Sequence, residues 1–108
     1  MARERVCSLS DVKAGELRSF KVGERDVVII AVGGKITAFD RWCTHEQGDM
    51  SEGSIEGSTV ICPLHGSKFD VAHGGKNLVG PDEEPGGTVP DIQVFPVTVE
   101  GNEVFVEV

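Results

Sequence analysis

Basic residues are scarce in this chain. Lys and Arg total 10 against 18 Asp and Glu, for a formal net charge of −8. That balance argues against functions that need a basic face, such as gripping nucleic acid or anionic lipid, and on charge alone it is best read as keeping the protein soluble. It is compatible with electrostatic steering toward a basic patch on another protein. Long apolar runs are missing as well. No stretch approaches 18 consecutive apolar residues, so nothing is expected to span a membrane. The opening residues Met1-Ala2-Arg3-Glu4-Arg5-Val6-Cys7 lack the apolar core of a secretion signal, and a cytoplasmic location is expected. Cysteines are few and odd in number (Cys7, Cys43 and Cys62), which argues against a disulfide scaffold. Helical periodicity is nearly absent. Its best candidate is one turn around Asp11-Val12-Lys13-Ala14, ended by Gly15.

What is abundant is glycine and strand pattern. The 108 residues suffice for one domain, and the 14 glycines are about twice the average share, which points to many turns and short strands. Strands are expected over residues 5–9, 17–22, 27–32 and 35–39. The third is an unbroken apolar run, Val27-Val28-Ile29-Ile30-Ala31-Val32, as expected of a strand covered on both faces. Gly33-Gly34 makes the hairpin turn into the fourth. Residues 97–100 alternate, Gly101-Asn102 turns, and Val104, Val106 and Val108 line one face of a last strand. Between these outer strands, residues 41–71 read as loop-rich chain with little to bury, a segment that needs a staple. Residues 73–91 hold five glycines and three prolines and read as a long irregular loop.

The cysteines and histidines sit in that middle segment. Cys43-Thr44-His45 and Cys62-Pro63-Leu64-His65-Gly66 are separated by sixteen residues that contain Gly48, Gly53 and Gly57 and can fold back as a hairpin. Two short loops could then meet, each presenting one thiolate and one imidazole. Chance, or buried cysteines and satisfied core histidines, explains a lone residue of this kind better than a paired arrangement. The pair points to a metal site. A Cys2His2 zinc site uses the same ligand types, although zinc sites usually space the first pair more widely. The metal is open on spacing alone.

Here the chain resembles a known family. C-x-H followed by C-x-x-H at this separation is similar to the Rieske ligand pattern, in which two His replace two Cys on one iron of a [2Fe–2S] cluster. The likeness runs through Cys62-Pro63-Leu64-His65-Gly66-Ser67-Lys68-Phe69-Asp70, and Gly80-Pro81 looks like the family's covering proline loop. The resemblance implies an all-β fold: an antiparallel β-sandwich or barrel base from residues 1–40 and 91–108. A small cluster-binding subdomain, about residues 41–72, would be inserted in it and covered by a loop at about 79–82. It implies that Cys43 and Cys62 hold an inner iron and His45 and His65 an outer one, with Gly66, Ser67, Phe69, Gly80 and Pro81 around them. It also implies a soluble one-electron carrier, similar to the ferredoxin components of bacterial aromatic-ring dioxygenases. Such a carrier is a non-catalytic monomer that links a reductase to a terminal oxygenase. A small subunit of an assimilatory nitrite reductase shares the fold and is the alternative within the family; a structural zinc module is the alternative outside it. Oxygenase catalysis would need a further two-His-one-carboxylate iron site, and only His73 is left over.

Two thiolates bring two ferric ions and two sulfides to zero charge, so one added electron takes the centre to −1. Four thiolates would make the same step run from −2 to −3. Histidine ligation therefore raises the potential. Ser67 can offer a hydroxyl to a cluster sulfur and raise it further. High-potential relatives have a tyrosine where this chain has Phe69, and a disulfide between the loops where it has Gly48 and Leu64. A potential near the negative end, on the order of −150 mV, is expected. It should fall as pH rises, through the ligand imidazoles. Of the remaining residues, Cys7 reads as core, His73 as surface, Trp42 as packing beside the cluster, and Glu83-Glu84 as solvated or docking charge.

Overall fold

The computed structural model describes residues 3–13, 15–32, 34–44, 48–64 and 66–108. The architecture follows from one strand. In β3 (Arg25–Val32) the side chains of Val27, Val28, Ile29 and Ile30 are all fully buried. Successive strand residues point to opposite faces, so a continuous apolar run must be covered on both. Val27 and Ile29 enter one core and Val28 and Ile30 enter another. Its neighbour β4 (Lys35–Asp40) divides the same way, with Ala38 on the first side and Phe39 on the second.

These strands form the middle of an antiparallel sheet ordered β2-β3-β4-β9, with β2 at Arg18–Val22 and β9 at Val94–Phe95. One face is covered by a three-stranded sheet, β1-β11-β10, built from Arg3–Ser8, Glu103–Glu107 and Val97–Glu100. Its Cys7, Val104 and Val106 pack with Val22, Val27, Ile29, Ala38 and Phe95. The other face carries the second core, where Phe39 meets Cys43, Met50, Val60, Cys62, Phe69, Val71 and Ile92. Most of these come from a small meander, β5-β6-β7-β8, at Ser54–Glu56, Thr59–Ile61, Lys68–Asp70 and Lys76–Val79, and from the loops that join it to the rest. The chain is thus all-β, with the β2-β3-β4-β9 sheet as the shared wall of two cores.

Most strand expectations agree to within two residues, and three segments differ. Leu9 does not end the first strand but opens a 3-10 turn, Leu9–Asp11, because the Asp11 carboxylate accepts the Ser8 amide at 3.0 Å and bends the chain there. The helical turn expected at residues 11–14 is therefore displaced, and Ala14 itself lies outside the described residues, as does Gly33 of the expected hairpin turn. Residues 41–71 hold three strands rather than loop alone, and residues 73–91 contain β8. Strands of three or four residues show too few alternations to announce themselves, and these are made by ladder pairing with each other.

Candidate metal centre

Two loops carry the candidate ligands, and each is closed in the same way. The Cys43 amide donates to the Gly48 carbonyl at 2.8 Å, and the Cys62 amide donates to the Ser67 carbonyl at 2.8 Å, five residues on in both cases. Gly66, at φ 76°, makes the second turn and donates to the Cys62 carbonyl at 3.1 Å. A side chain there would be strained.

The first loop stands on a rigid base. Met50 donates to the Arg41 carbonyl at 2.7 Å, and Trp42 and Asp49 form an isolated β-bridge. Arg41 grips Asp49 with two parallel hydrogen bonds, Nε to Oδ1 at 3.0 Å and Nη2 to Oδ2 at 2.9 Å. Asp49 Oδ1 also accepts the Ser51 amide and hydroxyl. The Arg41 guanidinium, with help from Ser51, holds the Asp49 carboxyl far below the usual carboxylate range against the opposing effect of burial. Sequence reasoning missed this pair. The available signal was an Asp two residues before a Ser, an Asx-turn pattern; nothing in the sequence joined it to Arg41.

The two cysteines come together. Cys43 and Cys62 are each 2% exposed and lie in one apolar cluster with Phe69. None of the three cysteines is in a disulfide. A β-carbon built on Gly48 would lie 2.7 Å from Cys62 Sγ, 3.2 Å from Leu64 Cβ and 3.7 Å from Cys43 Cβ. Only glycine leaves that space open, so the loop tips are drawn tight around the thiols. The proximity of Gly48 and Leu64 also matches their expected equivalence across the loops.

Ser67 supplies the clearest sign that something more belongs here. It is fully buried, and its Oγ is a side-chain polar atom without a hydrogen-bond partner. Buried hydroxyls are nearly always satisfied, so an orphan calls for an absent partner. Two buried thiols, a glycine cradle and an unsatisfied donor fit a sulfur-rich inorganic group. His45 and His65 lie outside the described residues. Among the described residues no three His, Cys, Asp or Glu side chains converge.

A family model for the Rieske [2Fe–2S] domain matches residues 2–102. The chain belongs to the Rieske [2Fe–2S] family. A Rieske domain of this kind holds one [2Fe–2S] cluster, which answers the question that ligand spacing left open between iron–sulfur and zinc. The chain is 35% identical over 99 residues to the ferredoxin component of naphthalene 1,2-dioxygenase/salicylate 5-hydroxylase systems of Ralstonia sp, covering 92% of this chain and 88% of that one. The Sphingomonas yanoikuyae B1 ferredoxin superposes with a TM-score of 0.85 at 25% identity, covering 98% of both chains. A chain from the complex of reduced oxygenase and oxidized ferredoxin in carbazole 1,9a-dioxygenase superposes with a TM-score of 0.81 at 30% identity, covering 96% of this chain and 91% of that one.

The other singled-out residues fall as follows. Phe69 is fully buried in the same core cluster as the two thiols. Pro81 is buried, and Gly80 packs so closely on Thr88 that a β-carbon would meet it at 2.8 Å. Further along, the Thr44 hydroxyl of the first loop donates to the Pro90 carbonyl at 2.8 Å. Trp42 does not pack inward as expected. It is 39% exposed, with the Arg41 guanidinium 5.0 Å from its ring, because its bridge to Asp49 turns the indole outward. Cys7 is a core residue, and burial, reinforced by Asp11, pushes its thiol up. His73 is at the surface, with Nδ1 2.8 Å from Asp70 Oδ2. No helix among the described residues is long and apolar enough to cross a membrane.

Proposed function

We propose that this Rieske domain is a soluble cytoplasmic monomer that carries single electrons from a reductase to a terminal oxygenase. Cys43 and Cys62 would hold the inner iron and His45 and His65 the outer one. The observation that carries this reading is the pairing of two buried cysteines from two identically closed loops beside the orphaned Ser67 hydroxyl. When bound, the cluster supplies reversible one-electron chemistry. The chain does the rest. Its thiolates and imidazoles would set the charge of the site, and the buried Ser67 hydroxyl would be available to donate to the cluster. Gly66 and Phe69 shape the second loop, and Gly80 and Pro81 turn the covering segment. We propose further that residues 41–72, with the loop near 79–82, form a cluster-binding subdomain inserted in a β base of residues 1–40 and 91–108, the whole chain being one domain.

The partner assignment is supported by near full-length similarity to ferredoxin components of dioxygenase systems. The net charge of −8 adds steering toward a basic docking face. The loop residues Asp82, Glu83 and Glu84 are exposed and add to that field. The test is direct. Protein purified without oxygen should be red-brown with about two irons and two sulfides per chain. EPR of the reduced form should show couplings to histidine nitrogen. Stopped-flow mixing with a flavin reductase and an oxygenase of a dioxygenase system should reduce and then reoxidise it. A coloured protein that neither partner class turns over would overturn the assignment of partners.

A further inference from the structure

We infer that residues 86–91 form a strap that couples the two ligand loops, with Asn77 and Thr44 as the positioning residues that hold it; this rests on the reading that those loops bind the cluster. Asn77 is 2% exposed and sits on β8, opposite Phe69. The register of β7 and β8 shifts there. Lys68 pairs with Val79 and Phe69 with Asn77, so Leu78 is the extra residue and stands 40% exposed. A bulge leaves ladder groups unpaired. The Asn77 side chain answers them: Nδ2 donates to the Lys68 carbonyl at 3.2 Å and to the Val79 carbonyl at 2.9 Å. Lys68 directly follows Ser67, where the second loop closes.

The remaining atom of that carboxamide holds the strap. Asn77 Oδ1 accepts the Gly87 amide at 2.9 Å. The Asn77 backbone amide donates to Asp91 Oδ1, also at 2.9 Å. Residue 77 therefore grips the strap near both ends. Gly86 lies so close to β8 that a β-carbon would meet the Leu78 carbonyl at 2.6 Å. Gly87 has φ 86°, the left-handed backbone that aims its N–H at Asn77. Between the grips, Val89 packs on the cluster of buried side chains that contains Cys43 and Cys62. Pro90 then accepts the Thr44 hydroxyl at 2.8 Å, one residue past Cys43. The strap thus leaves the hairpin that follows the second loop, packs Val89 on the core that holds both thiols and is fastened to the first loop.

Of the three fastenings, those to Gly87 and Pro90 are made by side chains that can be removed, while the Asp91 bond comes from the backbone of residue 77 and stays. Losing either side-chain fastening loosens the same strap, so losing the second adds little to the first. In the holoprotein, Asn77→Ala and Thr44→Val should each speed loss of the visible iron–sulfur absorbance in an iron chelator by at least about threefold. The double variant should be no faster than the faster single one. Thr44→Ser keeps the hydroxyl and should keep the wild-type rate. The EPR line shape of the reduced centre should change in Thr44→Val and not in Thr44→Ser, a difference that a general loss of fold stability would not make. Effects that multiply in the double variant would overturn the strap, and so would a Thr44→Val protein that loses its centre at the wild-type rate. Should Asn77→Ala fail to fold, the Thr44 pair decides alone, because that hydroxyl is at the surface. A wild type that binds no iron and sulfide would overturn the cluster reading and the strap together. A stable wild-type centre with indifferent Thr44 variants would overturn the strap only.

Discussion

The two cores on either side of the β2-β3-β4-β9 sheet are held by different means. On the outer side, strands of five to eight residues interlock Val22, Val27, Ile29, Ala38, Val104 and Val106, all at most 2% exposed. On the other side, β5, β6 and β7 have three residues each, and only Val60 and Phe69 among those residues are fully buried. That side instead uses polar fastenings: Arg41 on Asp49, Ser58 and His73 on Asp70, and Asn77 on the strap. Hydrocarbon burial is non-directional and forgiving of position. Hydrogen bonds fix direction, which a site for a geometrically demanding group requires. The core under the β1-β11-β10 sheet thus supplies stability, and the side that carries the cysteines supplies placement.

The largest effect should come from removing a thiol. Cys62→Ala should abolish the iron–sulfur absorbance altogether while far-UV circular dichroism retains the strands of the β2-β3-β4-β9 wall. Loss of all strand signal would show that the two sides are not separately supported. Next in size, Ile29→Ala should destabilise the protein by about 3 kcal/mol in chemical denaturation, since it empties a fully buried site in the outer core. The folded fraction should keep its full iron content.

Asp49→Asn should cost about 2 kcal/mol, the loss of charge-assisted bonds to Arg41. Because the Asp49 carboxyl is held low in the folded state, its contribution is present above the unfolded carboxylate value, about 3.9, and fades as pH falls further. The difference between wild type and variant should therefore be constant from pH 5 to about 8 and shrink below about pH 4. A gap that persists in strong acid would assign the effect to packing instead. Smallest of all, Ser67→Ala should leave stability nearly unchanged and lower the midpoint potential by roughly 40 mV, about 1 kcal/mol for one electron. An unchanged potential in protein-film voltammetry would mean that the orphaned hydroxyl does not face the cluster.

Much of this was legible in the residue order. The run from Val27 to Ile30 announced a strand covered on both faces, and it became the wall between two cores. The spacing of Cys43 and Cys62 announced a paired site, and the two thiols are buried together. Less legible were the short strands β5 to β8, whose three or four residues carry almost no periodic signal. Trp42 was misread because an indole beside a candidate ligand suggests packing, whereas a bridge to Asp49 turns it outward.

What the amino-acid sequence determined by itself is local: which segments alternate, where glycines permit turns, and which side chains can bind iron. These depend on neighbours a few positions away, and a reader of the chain can count them. Only the tertiary structure decided that Arg41 meets Asp49, that Ser67 is buried without a partner and that Asn77 reaches Gly87. Those relations depend on a bulge in β8 and on the way loops close, and the energy that selects them is shared among many weak contacts. No single residue announces them.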